Sequence, residues 1–256
     1  MDQRTTVQFA DSPLGRRFSG LIDIDAGEQD ALMSLQQDIQ RCPQETGFVT
    51  AGESFTHSYI IQEGWAAHFK LLPDGRQQIL DFSLPGDFIG LYAMVFDKAE
   101  HSVRAITDCV VSRIEPARII ALFTSYPRLA ATICWSAATQ GAILGEHVTR
   151  IGRRNAYERT AHLISELLYR LEHVGMVHDN DIDFPLTQEL LADTLGLTPV
   201  HMNRTLRKLK NNGLIDYDKD RLRVISRSRL RQVAAFDPTY LEQTSLPADM
   251  ESRLNP

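Results

Sequence analysis

The chain is short of cysteine and has no long apolar run, and each shortage excludes something. Its 256 residues include three cysteines, Cys42, Cys109 and Cys134. An odd, widely spaced set does not make a disulfide framework and fits a reducing compartment. No run of about 18 apolar residues is present, so no membrane span is expected. The opening residues, MDQRTTVQFADSPLGRR, lack the apolar core of a signal peptide, and the expected location is the cytoplasm. There is no Gly-rich phosphate loop and no nucleophile elbow. His57, His68 and His101 form no HxH or HxxxH pair, the spacing that metal ligation favours, and read as solvated or hydrogen-bonded side chains. Cys109, in an apolar strand, and Cys134 read as small core residues.

Positive charge is also scarce, with a formal net of −6, but it is not evenly scarce. Residues 1–126 carry a net −7 and residues 127–256 a net +1. Within the second half, Gly196 to Arg231 hold ten Lys/Arg against three Asp, a net of +7. An acidic protein that gathers its cations in one stretch is built for a polyanionic partner there.

That stretch overlaps the most patterned part of the chain, Leu186 to Ile215. Thr187 can cap a helix whose apolar side is Leu190, Leu191 and Leu195. Gly196 ends it, because glycine tolerates the left-handed conformation of a helix stop. Thr198 then stands at a second N-cap and Pro199 at the first helical position, where a missing N–H costs nothing. The second helix hides Met202, Leu206 and Leu209 and shows Arg204, Arg207, Lys208 and Lys210 elsewhere. Asn211-Asn212-Gly213 stops it. This is the pattern of a helix-turn-helix whose second helix enters a major groove. Leu214-Ile215 and Leu222-Val224-Ile225 flank Tyr217 to Asp220 as a β wing, with Lys219 near its tip.

Upstream the period changes. Residues 27–40 fit a helix with Leu32, Leu35 and Ile39 on one side, after a loose lead-in of about 25 residues. From Gly47 to Glu115 short β-rich segments alternate with Gly or Pro, and Pro73-Asp74-Gly75 signals a hairpin. The expectation is an antiparallel jelly-roll barrel with an interior able to hold a small ligand. A helical region then runs from Pro116, with a break near Pro127, to about Gly152. In it Ala130, Cys134, Ala137, Gly141, Leu144, Val148 and Ile151 recur at spacings of four and three, a coiled-coil seam fit for a second copy. The alternative is that this stripe packs on the chain's own barrel. Residues 153–173 predict another amphipathic helix, with Ala161, Ile164, Leu168 and Leu171 inward. A polar loop follows, with Asp179, Asp181 and Asp183; it lacks the glycine and glutamate of a calcium loop. One helical turn is expected over Arg231 to Phe236, and a loosely held tail after Pro238.

A barrel, a long helix and a winged helix-turn-helix together resemble the Crp/Fnr superfamily of bacterial transcription regulators. The resemblance covers roughly residues 20 to 235 and is most specific at Leu84-Pro85-Gly86-Asp87-Phe88-Ile89-Gly90, at Gly152 to Arg159 and at Leu186 to Ile215. It implies an α+β chain: a sensing barrel with its N-terminal extension (1–126), a dimerisation helix (127–152), a DNA-binding domain (153–236) and a tail (237–256). It implies a homodimer on a two-fold related site in double-stranded DNA, with RNA polymerase as a further partner and a small-molecule effector left unidentified. No cofactor is expected. Cyclic-nucleotide binders of the family carry a Glu after the motif's last glycine and an Arg-Ser or Arg-Thr pair further on; here Leu91 and His101-Ser102 stand there. Its iron–sulfur branch uses four cysteines, more than this chain has. Its haem branch uses a Cys and a His where Gly90 and Tyr92 stand. The rival reading is a metal-dependent, cupin-like barrel enzyme with a DNA-binding appendage, which needs clustered His and carboxylate ligands that the spacing does not supply.

The family presents a Glu and an Arg from the first turn of its recognition helix. Here those positions are Pro199 and Val200, followed by His201, and the later Arg204 alone matches. Arg204 is the expected base contact, with His201 able to bond a base edge and Val200 to touch a thymine methyl. Thr187, Gln188, Thr198, Arg207, Lys208 and Lys219 suit phosphate contacts, which set register rather than sequence.

Overall fold

The computed structural model describes residues 9–18, 21–54, 56–242 and 254. After a helical turn at Phe9–Asp11 come α1 (Pro13–Phe18) and α2 (Ala26–Leu35). Eight strands follow: β1 (Ile39–Cys42), β2 (Gly47–Val49), β3 (Ser58–Glu63), β4 (Ala66–Leu71), β5 (Gln77–Ser83), β6 (Phe88–Ile89), β7 (Ser102–Ala105) and β8 (Cys109–Ile114). They form two four-stranded sheets in the orders β1-β8-β3-β6 and β2-β7-β4-β5. Every pairing in them is antiparallel, and the two interleaved orders are those of a jelly roll. The hairpin at Pro73 to Gly75 joins β4 to β5, with Gly75 at φ +85° taking the positive angle. Ile61, Ala66, Ile89, Val103, Ala105, Cys109 and Val111 make a core cluster of the barrel.

Two expectations at the N-terminal side are corrected. The helix ends at Leu35, and Ile39 lies in β1, 61% exposed on an edge strand instead of on a helix face. The lead-in is also not loose where it is described. Phe9, Leu14, Phe18, Leu21 and Ile22 are buried against Leu32, Leu35, Phe88, Ile119, Leu129 and Ile133. Residues 1–8 lie outside the described residues.

α3 (Pro116–Ser125) leads into α4 (Pro127–Arg153), 27 residues and so about 40 Å long. The buried side of α4 is Leu129, Thr132, Ile133, Ser136, Thr139, Ile143, His147 and Arg150. The seam stripe lies elsewhere. Cys134, Ala137, Gly141, Leu144 (45%) and Val148 (59%) are exposed, and Ala130 and Ile151 are half-buried. The stripe is therefore not what packs α4 on its own barrel.

At Arg154 the backbone turns extended, and Asn155 caps α5 (Ala156–His173) in a capping box with Glu158. Then come β9 (Asp181–Asp183), α6 (Gln188–Leu195), α7 (Pro199–Asn211), β10 (Ile215–Asp218), β11 (Arg221–Val224) and α8 (Arg227–Ala234). Three more corrections fall here. Asp181–Asp183, expected as loop, is a strand that buries Ile182 and pairs with β11. The last helix is eight residues, beginning before Arg231. After it, Pro238–Leu241 forms a helical turn with Leu241 buried, so this part of the tail is held. Residues 243–253, 255 and 256 lie outside the described residues.

The largest core cluster crosses the chain's two halves. Trp65, Phe82 and Leu84 of the barrel join Ile143 of α4 and the interior of α5 to α8. A buried ionic chain runs through the same junction. Arg170 of α5 reaches Asp81 Oδ1 (2.8 Å), Asp87 Oδ2 (2.9 Å) and the Phe82 carbonyl (2.7 Å), and Arg17 of α1 reaches Asp87 Oδ1 (2.6 Å). Burial pushes the Asp87 carboxyl up, but Arg17 and Arg170 outweigh it and hold the group below its usual range.

Candidate nucleic-acid interface

The helix-turn-helix is built by local chemistry. Thr187 accepts the backbone N–H of Leu190 (3.2 Å) and starts α6. Gly196 closes it at φ +62°, a conformation that costs other residues a Cβ clash. Thr198 accepts the N–H of His201 (3.2 Å) at the start of α7, with Pro199 next. Met202, Thr205, Leu206 and Leu209 are the buried side of α7. The opposite side is open: Thr198, Pro199, Val200 (71%), His201, Arg204, Arg207 and Lys208 are all exposed.

Where the cations point is decided by what already neutralises them. Lys210 pairs with Asp216 (2.6 Å), Arg223 with Asp181 (2.5 Å) and Arg227 with Glu172 (2.7 Å). Arg204, Arg207, Lys219 and Arg221 make no ion pair among the described residues. Besides Arg229 and Arg231 of α8, which meet the Asn212 carbonyl and the Phe236 ring, the uncompensated charge is on the open side of α7 and at the wing tip, where Lys219 takes a left-handed φ of +48° between β10 and β11. Thr187 is exposed and Gln188 half-buried at the head of α6; both line a depression shared with Lys219 of the wing. The ten expected DNA-contact residues therefore come from α6, α7 and the wing, with Lys208 differing from the rest. Its ammonium sits 4.8 Å from the centre of the Tyr157 ring, a cation–π contact with α5.

Three residues to which the sequence reading gave no part in this surface support it. Asn203 donates from Nδ2 to Gln188 Oε1 (2.9 Å) and so fixes the Gln188 amide. Asn212, at the end of α7, donates to the Tyr157 hydroxyl (2.7 Å), which sets the ring under Lys208. Arg159 reaches the Leu195 carbonyl (2.8 Å) and satisfies the end of α6. Their partners are 15 to 55 positions away, so no local pattern announces them. The motif is also docked on the barrel: Gln77 and Gln78 of β5 donate to Asp193 (2.8 Å) and to the Thr194 carbonyl (3.1 Å) of α6.

A second feature is a cavity of about 380 Å³ between the barrel and α4. His68, Tyr92 and His101 line it from the barrel, and Gln140 and Leu144 from α4. His68 Nδ1 lies 3.0 Å from His101 Nε2, and His68 Nε2 2.6 Å from Ser83 Oγ. The sequence spacing of His68 and His101 hid this pair. Burial above all pushes His68 down to about 4, so it is neutral at pH 7. Burial, then Asp81 and Glu100, pushes the Tyr92 hydroxyl up to about 12. Leu91 is buried in the N-terminal core, leaving no carboxylate at its position. No group of three or more His, Cys, Asp or Glu among the described residues is placed to hold a metal ion, and no helix described is long and apolar enough to cross a membrane.

Comparison with known proteins agrees with this architecture. Residues 40–126 match the cyclic nucleotide-binding domain model and residues 158–233 the Crp-like helix-turn-helix domain model. The transcriptional activatory protein AadR of Rhodopseudomonas palustris is 30% identical over 217 residues, 83% of this chain and 87% of that one. The nitrogen fixation regulation protein FixK of Bradyrhizobium diazoefficiens is 30% identical over 214 residues, covering 83% and 88%. The structure of FixK2 from Bradyrhizobium japonicum superposes with a TM-score of 0.69 at 22% identity, over 78% of this chain and 98% of that one, a likeness of fold. With its jelly-roll barrel, its long helix and a capped helix-turn-helix showing unpaired arginines, the chain belongs to the Crp/Fnr family of DNA-binding transcription regulators.

Proposed function

We propose that the protein acts as a homodimer on a two-fold symmetric DNA site, reading each half with α7. The observation that carries this reading is the open side of α7, where Arg204 and Arg207 make no ion pair among the described residues, whereas Lys210, further along the same helix, is held by Asp216. Arg204 reads a guanine, worth roughly 1–3 kcal/mol of discrimination. His201 and Val200 add an edge hydrogen bond and an apolar contact. Thr187, Gln188, Thr198, Arg207 and Lys219 hold phosphates, and Lys208, seated on Tyr157, offers its remaining N–H donors to one.

The second copy docks along Ala130, Cys134, Ala137, Gly141, Leu144, Val148 and Ile151. The exposure of Cys134, Ala137, Gly141, Leu144 and Val148 on α4, with a different side buried against the barrel, supports this. The small residues let two helix backbones approach, and two-fold symmetry then presents two recognition helices. The cavity beside Leu144 places any effector against the same helix; Leu91 and His101-Ser102 speak against cyclic nucleotide as that effector, Gly90 and Tyr92 against haem, and a total of three cysteines against a four-cysteine iron–sulfur cluster. The protein is a regulator without catalytic activity. The activator names of its relatives support RNA polymerase as a further partner.

The test is DNA selection from a random pool by the purified, ligand-free protein at physiological salt. Recovery of one two-fold symmetric site is expected. Arg204→Ala should then flatten discrimination at one symmetric pair of bases, while Arg207→Ala weakens all sequences alike. Equal weakening by both variants on every sequence removes the base-reading role from Arg204.

A further inference from the structure

The cysteines are far apart in sequence, yet two of them meet. β1 pairs with β8 so that Cys42 lies directly opposite Cys109. Directly opposed residues of an antiparallel ladder send their side chains to the same face. The Arg113 N–H bonds the Asp38 carbonyl just before β1, which marks that couple as hydrogen-bonded. Counting along the register by twos puts Cys42 and Cys109 in the same class, with Cα atoms about 5.5 Å apart. A disulfide accepts Cα separations of about 4.4–6.8 Å. Both side chains belong to the barrel cluster, Cys109 buried within it and Cys42 packed against it. Both are free thiols. β1 is an edge strand with β8 as its neighbour in the sheet, so it can shift without breaking a ladder on its other side.

We propose that Cys42 and Cys109 are a reversible modification site, a dithiol that hydroperoxides convert into an intrachain disulfide between β1 and β8. Cys42, the more exposed, reacts first. Its thiolate takes the terminal peroxide oxygen and becomes a sulfenic acid, and the rest of the peroxide leaves as an alcohol, or as water from hydrogen peroxide. The Cys109 thiolate then attacks the sulfenic sulfur, the S–S bond forms and water leaves. Two electrons pass from the two sulfurs to the O–O bond, and the two thiol protons end in the released alcohol and water. A cellular dithiol restores the pair by exchange.

The bond would close the chain over residues 43–108, from the first strand of the barrel to the start of its last, which leads into α3 and α4. Burial holds both thiols above their ordinary pKa. The cross-link therefore forms slowly at neutral pH, and its rate climbs about tenfold per pH unit while the pH stays below the pKa of the attacking thiol.

The experiment treats the full chain with hydrogen peroxide, then denatures it, alkylates the remaining thiols and maps peptides by mass spectrometry. A Cys42–Cys109 linked peptide pair is expected, with loss of alkylation at both cysteines and recovery of both by dithiothreitol. Cys42→Ser should leave Cys109 open to alkylation after the same treatment. The linked pair is distinct by peptide mass from any product of Cys134, and mapping it from the monomer band of a non-reducing gel separates the intrachain bond from one between chains. Full alkylation of Cys42 and Cys109 after peroxide, or their conversion to higher sulfur acids with no linked pair, overturns the proposal. So does an oxidation rate that does not change with pH.

Discussion

Arg170→Met would remove the centre of the buried ionic chain between the barrel and the DNA-binding half. Methionine keeps most of the side-chain volume, so the cost is chiefly electrostatic. Three acceptors lose a donor at once: Asp81, Asp87 and the Phe82 carbonyl. Asp87 keeps Arg17, 2.6 Å away, whereas Asp81, one-fifth exposed, keeps only partial access to water. Burial alone would lower the Arg170 pKa, yet Asp81 and Asp87 outweigh it and raise it, so the folded state favours the charged guanidinium. Breaking a buried pair from one side costs about 3–5 kcal/mol. For a chain of this size that corresponds to a fall in Tm of about 6–20 °C, at 2–4 °C per kcal/mol. Calorimetry or circular dichroism at pH 7 reads it. Adding Asp81→Asn should return part of the loss, because it removes the carboxylate left without its partner. A fall below about 2 °C, or a double variant whose losses simply add, would refute the argument that these groups compensate one another.

Acid should destabilise the protein in a defined window. Burial pushes His68 and His147 down to about 4 and His162 to about 3, with Arg150 adding to the last two. These imidazoles stay neutral in the folded state while the unfolded chain takes up protons below about pH 6.5, so stability is complete above that pH and is lost as pH falls from there toward 4, and for His162 toward 3. Each contributes a slope of at most about 1.4 kcal/mol per pH unit, and Tm against pH should flatten in this range when His162 is replaced by Gln. Thr198→Ala removes the N-cap of α7; a loss of about 1 kcal/mol is expected in a thermal melt, and Thr198→Ser should restore most of it. If the α4 seam joins two copies in parallel, Cys134 of each faces the other. Copper-phenanthroline should then give a disulfide-linked dimer on non-reducing gels that Cys134→Ser abolishes, and Leu144→Asp should shift the sedimentation of the reduced protein toward monomer.

What the sequence reveals of this molecule follows the range of the forces involved. The caps at Thr187 and Thr198, the stop at Gly196 and the turn at Gly75 depend on neighbours within four positions, and each stands where local chemistry puts it. β1 and β9 carry little pattern of their own. Ile-Gln-Arg-Cys is mostly exposed on an edge, and Asp-Ile-Asp buries a single side chain. Both are strands because β8 and β11 offer them a ladder. α1 has one apolar step, from Leu14 to Phe18, too short to read as a helix until the barrel and α4 cover it. On the recognition surface, charge and capping announced α6 and α7. The same residue types did not tell that Lys208 lies on an aromatic ring or that Lys210 is already neutralised, since Tyr157 and Asp216 reach them only through the fold. The meeting of His68 with His101 and of Cys42 with Cys109 is likewise a product of strand pairing.

The shared core at the junction limits how this protein can be taken apart. Cut at the end of α4, the C-terminal fragment would carry into water the apolar surface that Trp65, Phe82 and Leu84 now cover. Arg170 would lose both of its carboxylates, and Glu166, held by Arg150 and by the Tyr240 hydroxyl at 2.5 Å each, would keep only the second. The winged helix-turn-helix is therefore not a detachable cassette: grafted onto another sensor without these surfaces, it would arrive with an exposed greasy flank, and exchange of parts within the family would have to move the barrel's β5 edge along with it.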